Sequence, residues 1–184
     1  LLARTYDAQD KLTEATRELQ HALALDRRCP GAHFALGFIA WTSRDLPAAE
    51  TEFREELAIN RGHRLAHYYL AEVLMTQEKT PEAEGLLKEM AREFPQCYFA
   101  HLGTGKLEER RGNLEKAAQQ FRQAVRIDPE QMEAHYRLAL VLRKLGQNTE
   151  AEKEFGITHQ LRMKDQTQIR QGMGLMRARL PDLE

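Results

Sequence analysis

The sequence predicts an all-α protein, an α-solenoid in which antiparallel helix pairs stack one on the next. Three observations favour it: an unbroken 34-residue period, apolar residues spaced i, i+3 and i+4 within segments, and glycine or proline at segment ends. The period is marked by an Ala-His pair, which recurs at Ala32-His33, Ala66-His67, Ala100-His101 and Ala134-His135. No segment alternates apolar and polar residues as a strand would.

Three positions of the period, counted from Pro30, carry a packing pattern. Position 8 is small, with Ala3, Gly37, Ala71, Gly105 and Ala139; position 20 is always alanine, with Ala15, Ala49, Ala83, Ala117 and Ala151. Position 24 is large and apolar, with Leu19, Phe53, Leu87, Phe121 and Phe155. Two helices approach closely where both present small side chains, and the large residue fills the space beside the crossing.

Glycines and prolines place the helix ends. Gly112 and Gly146 fall where a first helix ends in the left-handed conformation, and Pro47 and Pro81 fall in the first turn of a second helix. Pro95 and Pro129 follow second helices as stop signals. The predicted pairs are residues 31–44 and 47–59, 65–78 and 81–93, 99–111 and 114–127, and 132–145 and 148–162.

The repeats predict two regions of the chain. An array spans 1–163, divided into a truncated first repeat 1–29 and the repeats 30–63, 64–97, 98–131 and 132–163. Residues 164–184 are predicted as a capping helix and tail, because Ile169, Met173, Met176 and Leu180 form one apolar face over 165–180 between Asp165 and Pro181. One long helix from about Thr149 is the alternative. The chain begins at Leu1 and is interpreted as a fragment.

These positions resemble the tetratricopeptide repeat (TPR) family, which has a 34-residue helix–turn–helix unit with small residues at positions 8 and 20. The resemblance covers residues 1 to about 163 and implies a right-handed superhelix. It departs from the family at position 4, which holds histidine here, and at the first repeat, where Leu1 already lies at position 6.

The resemblance further implies a concave peptide-binding groove lined by the first helix of each repeat. The residues at those positions are aromatic and apolar in repeats 2 and 3 and basic in repeats 4 and 5. They are Phe34, Phe38, Trp41, Leu65, Tyr68, Glu72, Met75, Phe99, Leu102, Lys106, Arg110, Tyr136, Leu140, Arg143 and Lys144. Aromatic anchors beside charges favour a protein segment with apolar and acidic residues as partner.

The residues required for two known binding modes of the family are absent from this sequence. The carboxylate clamp needs lysine and asparagine at positions 5 and 9, where repeat 2 has Phe34 and Phe38. The asparagine ladder needs asparagine at position 6, where Ala35, Tyr69, Gly103 and Arg137 stand.

Composition and motifs argue against several other functions. The formal net charge of −1 argues against nucleic acid, and the apolar runs are too short for membrane insertion. Phosphate-binding, nucleophile-elbow and CxxC motifs are missing, so neither an enzyme nor a cofactor is predicted. Equivalent histidines of a solenoid point in parallel and do not converge on a metal, so they are interpreted as structural.

The leading functional hypothesis is therefore a non-catalytic interaction scaffold. The alternatives are a regulatory arm of a larger enzyme and a self-association module that forms homo-oligomers. Cys29 and Cys97 occupy equivalent positions two repeats apart and are predicted to be free thiols. Free thiols favour a reducing, cytoplasmic compartment, with the periplasm left open.

Overall fold

The computed structural model describes residues 2–177, and the side chains of residues 11–167, as an all-α protein. Within this range the chain forms nine helices and no strand. They are α1 (Leu2–Leu25), α2 (Ala32–Thr42), α3 (Leu46–Ile59), α4 (Arg64–Thr76), α5 (Thr80–Glu93), α6 (Tyr98–Arg110), α7 (Leu114–Ile127), α8 (Met132–Lys144) and α9 (Asn148–Arg177). The predicted all-α repeat fold is confirmed, and most helix ends lie within three residues of their predicted positions.

The chain divides into two compact units, an N-terminal unit (Leu1–Gly103) and a C-terminal unit (Thr104–Glu184), and the division falls inside α6. In the N-terminal unit each helix from α1 to α4 packs against the next one. In the C-terminal unit α8 packs against both α7 and α9. No helix among residues 2–177 is both long and apolar enough to cross a membrane.

The predicted packing pattern lies in the cores of both units. At position 20, Ala49, Ala83, Ala117 and Ala151 are buried. At position 8, a Cβ atom built on Gly37 would lie 2.8 Å from the ring of Phe53, and one built on Gly105 would lie 2.5 Å from the ring of Phe121. Both rings are fully buried. Glycine is therefore required in these two repeats, whereas the fifth repeat combines Ala139 with Phe155, whose ring is only half-buried.

The turns inside the helix pairs share one left-handed residue. Gly112 (φ 78°) and Gly146 (φ 77°) adopt this conformation as predicted. At the same position of the period, Arg44 (φ 65°) and Glu78 (φ 64°) adopt it without being glycine. The packing of the flanking helices therefore imposes a conformation that the two side chains disfavour.

The first repeat departs from the helix-pair pattern. α1 continues through Asp10, which is the equivalent of the left-handed turn residues, as one helix of 24 residues. No first helix folds back onto the second half of α1, and Ala15 is consequently exposed although its four equivalents are buried. The sequence period therefore continues into a segment whose backbone does not repeat the turn.

The prediction that a separate capping helix begins at residue 165 is wrong. α9 runs without a break from Asn148 to Arg177, so the alternative of one long helix is the one that the structure shows. Asp165 is an exposed residue inside this helix and not its cap. No proline interrupts residues 148–177, and helical hydrogen bonding continues through them. Leu180 and Pro181 lie outside the described residues, and the side chains of Ile169, Met173 and Met176 lie outside the described side chains.

An ion-pair network connects α3 with the start of α5 in the N-terminal unit. Nζ of Lys79 lies 2.7 Å from one carboxylate oxygen of Glu50, and Arg54 donates to the other at 2.9 Å. Arg54 also donates to Glu82 at 2.8 Å. The hydrogen bond from Lys79 contributes most to a lowered pKa of Glu50; burial opposes the shift, and Arg54 adds to it.

The lowered pKa of Glu50 predicts a pH-dependent contribution to stability. A carboxyl group whose pKa falls on folding stabilises the folded state above its unfolded pKa, and this stabilisation disappears as the pH falls through the folded pKa. We expect Glu50→Gln to lower the free energy of unfolding at neutral pH and to have no effect at strongly acidic pH. Urea denaturation at both pH values measures it, and Glu55→Gln, an exposed neighbour on α3, is the control. An equal loss at both pH values would contradict the network's role.

Candidate peptide-binding surface

One face of α2 carries three large aromatic side chains. Phe34, Phe38 and Trp41 are spaced i, i+4 and i+7, which aligns them along one side of the helix. Phe38 is 39% exposed, whereas Phe34 and Trp41 are half-buried. An apolar stripe of this size on a helix whose opposite face is already packed leaves aromatic surface in contact with solvent.

Tyr69 on α4 connects this stripe to the core. Its ring lies 5.2 Å from that of Phe38 in an edge-on arrangement and 5.9 Å from the buried ring of Phe53 in a stacked one. The ring of Phe34 lies 6.1 Å away. Aromatic pairs at these separations attract each other beyond their area burial, so the cluster holds its exposed members in fixed orientations.

The aromatic contacts continue to the start of α6. The ring of Tyr68 lies 5.3 Å from those of both Tyr69 and Phe99, and Phe99 contacts Tyr98 at 5.2 Å. All these residues belong to the N-terminal unit. We call the accessible part the aromatic surface; its residues are Phe34, Phe38, Trp41, Leu65, Tyr69 and Phe99.

A buried carboxylate lies beneath the aromatic surface. Glu56 is 1% exposed, and its Oε2 accepts a hydrogen bond from the backbone N–H of Phe34 at 3.2 Å. Its Oε1 lies 3.8 Å from Nε2 of His63 and has no hydrogen-bond partner. The His63 ring stacks on Phe34 at 4.5 Å, and its Nδ1 accepts from the N–H of Ala66 to cap α4. The cap and the stacking together fix His63 over Glu56.

Three predicted groove residues of the N-terminal unit do not lie at an accessible surface. Tyr68, Met75 and Leu102 are buried, so their assignment to the groove requires correction. The prediction treated position 5 as equally accessible in every repeat, whereas the aromatic packing closes over Tyr68. Leu65, Glu72 and Phe99 remain half-buried.

In the C-terminal unit the predicted basic residues Lys106 and Lys144 form ion pairs with glutamates. Nζ of Lys106 lies 2.8 Å from Glu133, and Nζ of Lys144 lies 2.8 Å from Glu109. The Arg143 guanidinium lies over the ring of Phe155 at 5.3 Å. Of the other predicted residues there, Tyr136 is 44% exposed, Arg110 is exposed and Leu140 is half-buried. The local excess of positive charge is therefore reduced by internal ion pairs.

Sequence reasoning missed three residues of the site: Tyr69, His63 and Glu56. Tyr69 stands at position 6, which was considered only for an asparagine ladder. Glu56 stands at position 27, where the other repeats have Met90, Ala124 and Thr158. A carboxylate at a position that is otherwise apolar or small could have pointed to this site. Burying a charged group is costly unless it is paired or hydrogen-bonded, so such a residue indicates specific partners nearby.

The histidines at position 4 hold helices together through hydrogen bonds. Nδ1 of His33 lies 2.7 Å from Glu52, and Nδ1 of His135 lies 2.5 Å from Glu154. Nε2 of His135 donates to the carbonyl of Pro129 at 3.0 Å, and Nε2 of His101 donates to that of Pro95 at 3.2 Å. Their imidazole nitrogens therefore serve packing between and within repeats. Among the described side chains, no three His, Cys, Asp or Glu residues cluster as a metal site requires.

The hydrogen bonds predict unequal effects of two substitutions. His135→Phe removes the donor to Pro129 and the partner of Glu154, whereas His67→Phe removes only the bond from Nδ1 to the carbonyl of His63. We expect His135→Phe to reduce the free energy of unfolding by about 1 kcal/mol more than His67→Phe. Urea denaturation of both variants measures the difference, and equal losses would show that the contacts of His135 add no stability.

The chain matches known proteins through its repeats. The sequence profile of the tetratricopeptide repeat matches residues 1–64, 39–96, 68–131 and 102–156. No curated protein sequence matches the chain. The fold is similar to that of solved structures, of which three follow.

MamA from Desulfovibrio magneticus RS-1 is 21% identical with a TM-score of 0.65, and the match covers 89% of this chain and 92% of that one. PilF of Pseudomonas aeruginosa is 21% identical with a TM-score of 0.71, over 86% and 72% of the two chains. YrrB, described as a TPR protein with an unusual peptide-binding site, is 19% identical with a TM-score of 0.57, over 86% and 82%.

The fold and its repeats define a helical repeat protein of the scaffold type. The profile matches span residues 1–156 of the 184. The chain belongs to the tetratricopeptide repeat family, and the predicted family membership is confirmed. Proteins of this family act, at a general level, in protein–protein interaction and are typically non-catalytic.

Proposed function

We propose that the chain is a non-catalytic scaffold that binds a segment of a partner protein through the aromatic surface. One observation carries the proposal: a fixed network of aromatic rings ends in side chains that remain in contact with solvent, among them Phe38 at 39% exposure. The small and large residues of positions 8, 20 and 24 already form the core, so packing does not require these exposed rings. Rigid aromatic side chains at a surface are typical anchors of binding.

The proposed partner segment brings apolar side chains to the aromatic surface. A rigid surface loses little conformational entropy on binding, and the contacts among Phe34, Phe38 and Tyr69 supply this rigidity. The peptide-binding site of YrrB supports the proposal as an analogy within the same fold.

Acidic residues of a partner are proposed to meet the C-terminal unit. Arg110, Arg143 and Lys144 are exposed there, and Lys144 is paired with Glu109. A partner carboxylate at Lys144 replaces one ion pair by another, so the net gain in free energy is small. The charges are therefore proposed to set orientation and association rate, and the aromatic surface to supply most of the affinity.

Affinity capture with matched variants tests the proposal. The immobilised chain and its Trp41→Ala and Phe38→Ala variants are compared with Leu25→Ala, which truncates a 79%-exposed apolar residue at the end of α1. We expect one partner to be retained by the unchanged chain and by Leu25→Ala, and lost from the other two. Retention by all four proteins would show that binding occurs elsewhere, and circular dichroism confirms that each variant is folded.

A further inference from the structure

The buried carboxylate beneath the aromatic surface is not balanced by a cation among the described side chains. Glu56 is 1% exposed; its Oε2 accepts from the backbone N–H of Phe34, whereas its Oε1 has no hydrogen-bond partner. Nε2 of His63 lies 3.8 Å from Oε1. Because Nδ1 of His63 accepts a hydrogen bond from the N–H of Ala66, this nitrogen carries no proton and the ring is neutral. The imidazole therefore does not balance the charge of Glu56.

The basic side chains of the three helices around Glu56 are engaged elsewhere. α2 contains no lysine or arginine, α3 contains only Arg54, and α4 contains only Arg64. Arg54 pairs with Glu50 and Glu82, and Arg64 lies over the ring of Phe94 at 5.9 Å. The same three helices contain five glutamates, so their formal charge is −3. A buried charge is costly unless it is paired, so this region favours a ligand that supplies a cation.

The exposed rings of the aromatic surface suit the same kind of ligand. The rings of Phe34 and Phe38 are inclined by only 25° with their centroids 6.3 Å apart, and Phe38 is 39% exposed. The face of an aromatic ring attracts a cation that lies within about 6 Å of its centroid. The chain makes such a contact itself in the C-terminal unit, where Arg143 lies over Phe155 at 5.3 Å. Ring faces and buried carboxylate therefore both select a positive charge.

We propose, on the basis of the proposed function, that the partner segment presents an arginine side chain to the aromatic surface. The guanidinium stacks on the ring of Phe38 and reaches over Phe34, and its apolar stem contacts the neighbouring rings. Its charge acts on Glu56 through space, because Glu56 is buried and charges are screened less there than in water. Arginine is favoured over lysine, since the planar guanidinium stacks on rings and is more weakly hydrated.

Two matched peptides test the choice of a cation. One is a short peptide of leucine and serine with a single central arginine; the other has citrulline there, which has nearly the same shape but no charge. Trp41 is the only tryptophan of the chain and belongs to the aromatic surface, so its fluorescence follows binding without a label. We expect the arginine peptide to bind about three- to thirtyfold more tightly. Glu56→Gln keeps an acceptor for the N–H of Phe34, and we expect it to reduce this ratio at least about threefold.

Variants at and beside Glu56 control the experiment. Glu55→Gln removes the same charge from an exposed neighbour on α3 and is expected to leave the ratio unchanged. Glu56→Met copies Met90, which stands at the equivalent position of the next repeat, and replaces Glu56→Gln if circular dichroism shows that variant to be unfolded. The ratio is expected to fall in Glu56→Met as well.

Three results overturn the inference: equal binding of the two peptides, a ratio that is unchanged in the folded Glu56 variant or falls equally in Glu55→Gln, and no binding of either peptide at about 1 mM. None of these results decides the proposed function. That function fails separately, if the Trp41→Ala and Phe38→Ala variants retain the captured partner.

Discussion

Replacing Gly105 with alanine is expected to lower the free energy of unfolding by about 1–3 kcal/mol. The added Cβ would lie 2.5 Å from the ring of Phe121, and that ring is fully buried and cannot move away. The matched control is Gly85→Ala on α5, where a Cβ meets nothing within 4 Å. Since alanine favours helix over glycine, this control is expected to gain up to about 1 kcal/mol. Chemical denaturation of both variants measures the contrast.

A second substitution identifies the cause of the expected loss. The third repeat combines Ala71 with Leu87 at the two equivalent positions, and both residues are buried there. Adding Phe121→Leu to Gly105→Ala reproduces this combination, so the double variant is expected to lose less stability than the sum of the two single variants. Strict additivity, or equal stability of Gly105→Ala and Gly85→Ala, would show that the close approach to Phe121 is not limiting.

Trp41→Ala is expected to weaken partner binding by about 2 kcal/mol or more, which is roughly thirtyfold in the dissociation constant. Trp41 continues the stripe of Phe34 and Phe38, and truncation removes a large apolar contact while the folded core is kept. The effect is expected mainly in the dissociation rate, because the aromatic contacts form after encounter. Surface plasmon resonance with the captured partner measures both rates.

The control for this prediction distinguishes binding at the aromatic surface from non-specific hydrophobic binding. Leu25→Ala also removes exposed apolar area from the N-terminal unit, and it is expected to leave both rates unchanged. If Trp41→Ala and Leu25→Ala weaken binding equally, the partner recognises exposed apolar area in general. If neither does, the aromatic surface is not the site.

The fold was predictable because the same sequence pattern recurs in successive repeats. The apolar spacing and the buried alanines agree in four successive helix pairs, and each proline or glycine signal recurs in two of them, so a chance match at one position matters little. Where only part of a repeat is present, this redundancy is lost. The sequence of α1 keeps Ala15 and Leu19 in register, yet its backbone does not form the turn, because a turn depends on a helix that folds back.

The candidate site was predictable only in part, because the solvent exposure of a side chain depends on which other side chains pack around it. Phe38 and Tyr68 stand at inward-facing positions of first helices, but only Phe38 is exposed. Tyr68 is covered in an aromatic cluster that includes Tyr69 and Phe99, and a repeat template treats all repeats as equal and omits such differences. Likewise, the ion pairs of Lys106 and Lys144 involve glutamates on other helices, which periodicity alone does not pair.

The left-handed turn residues give the helix pairs of the two units different mechanical properties. Arg44 and Glu78 each hold about 1–2 kcal/mol of backbone strain that Gly112 and Gly146 do not. This strain is released when a turn opens, so α2–α3 and α4–α5 resist separation less than their packing alone would allow. Under tension these two helix pairs are therefore expected to separate more readily than they would with glycine at the turns.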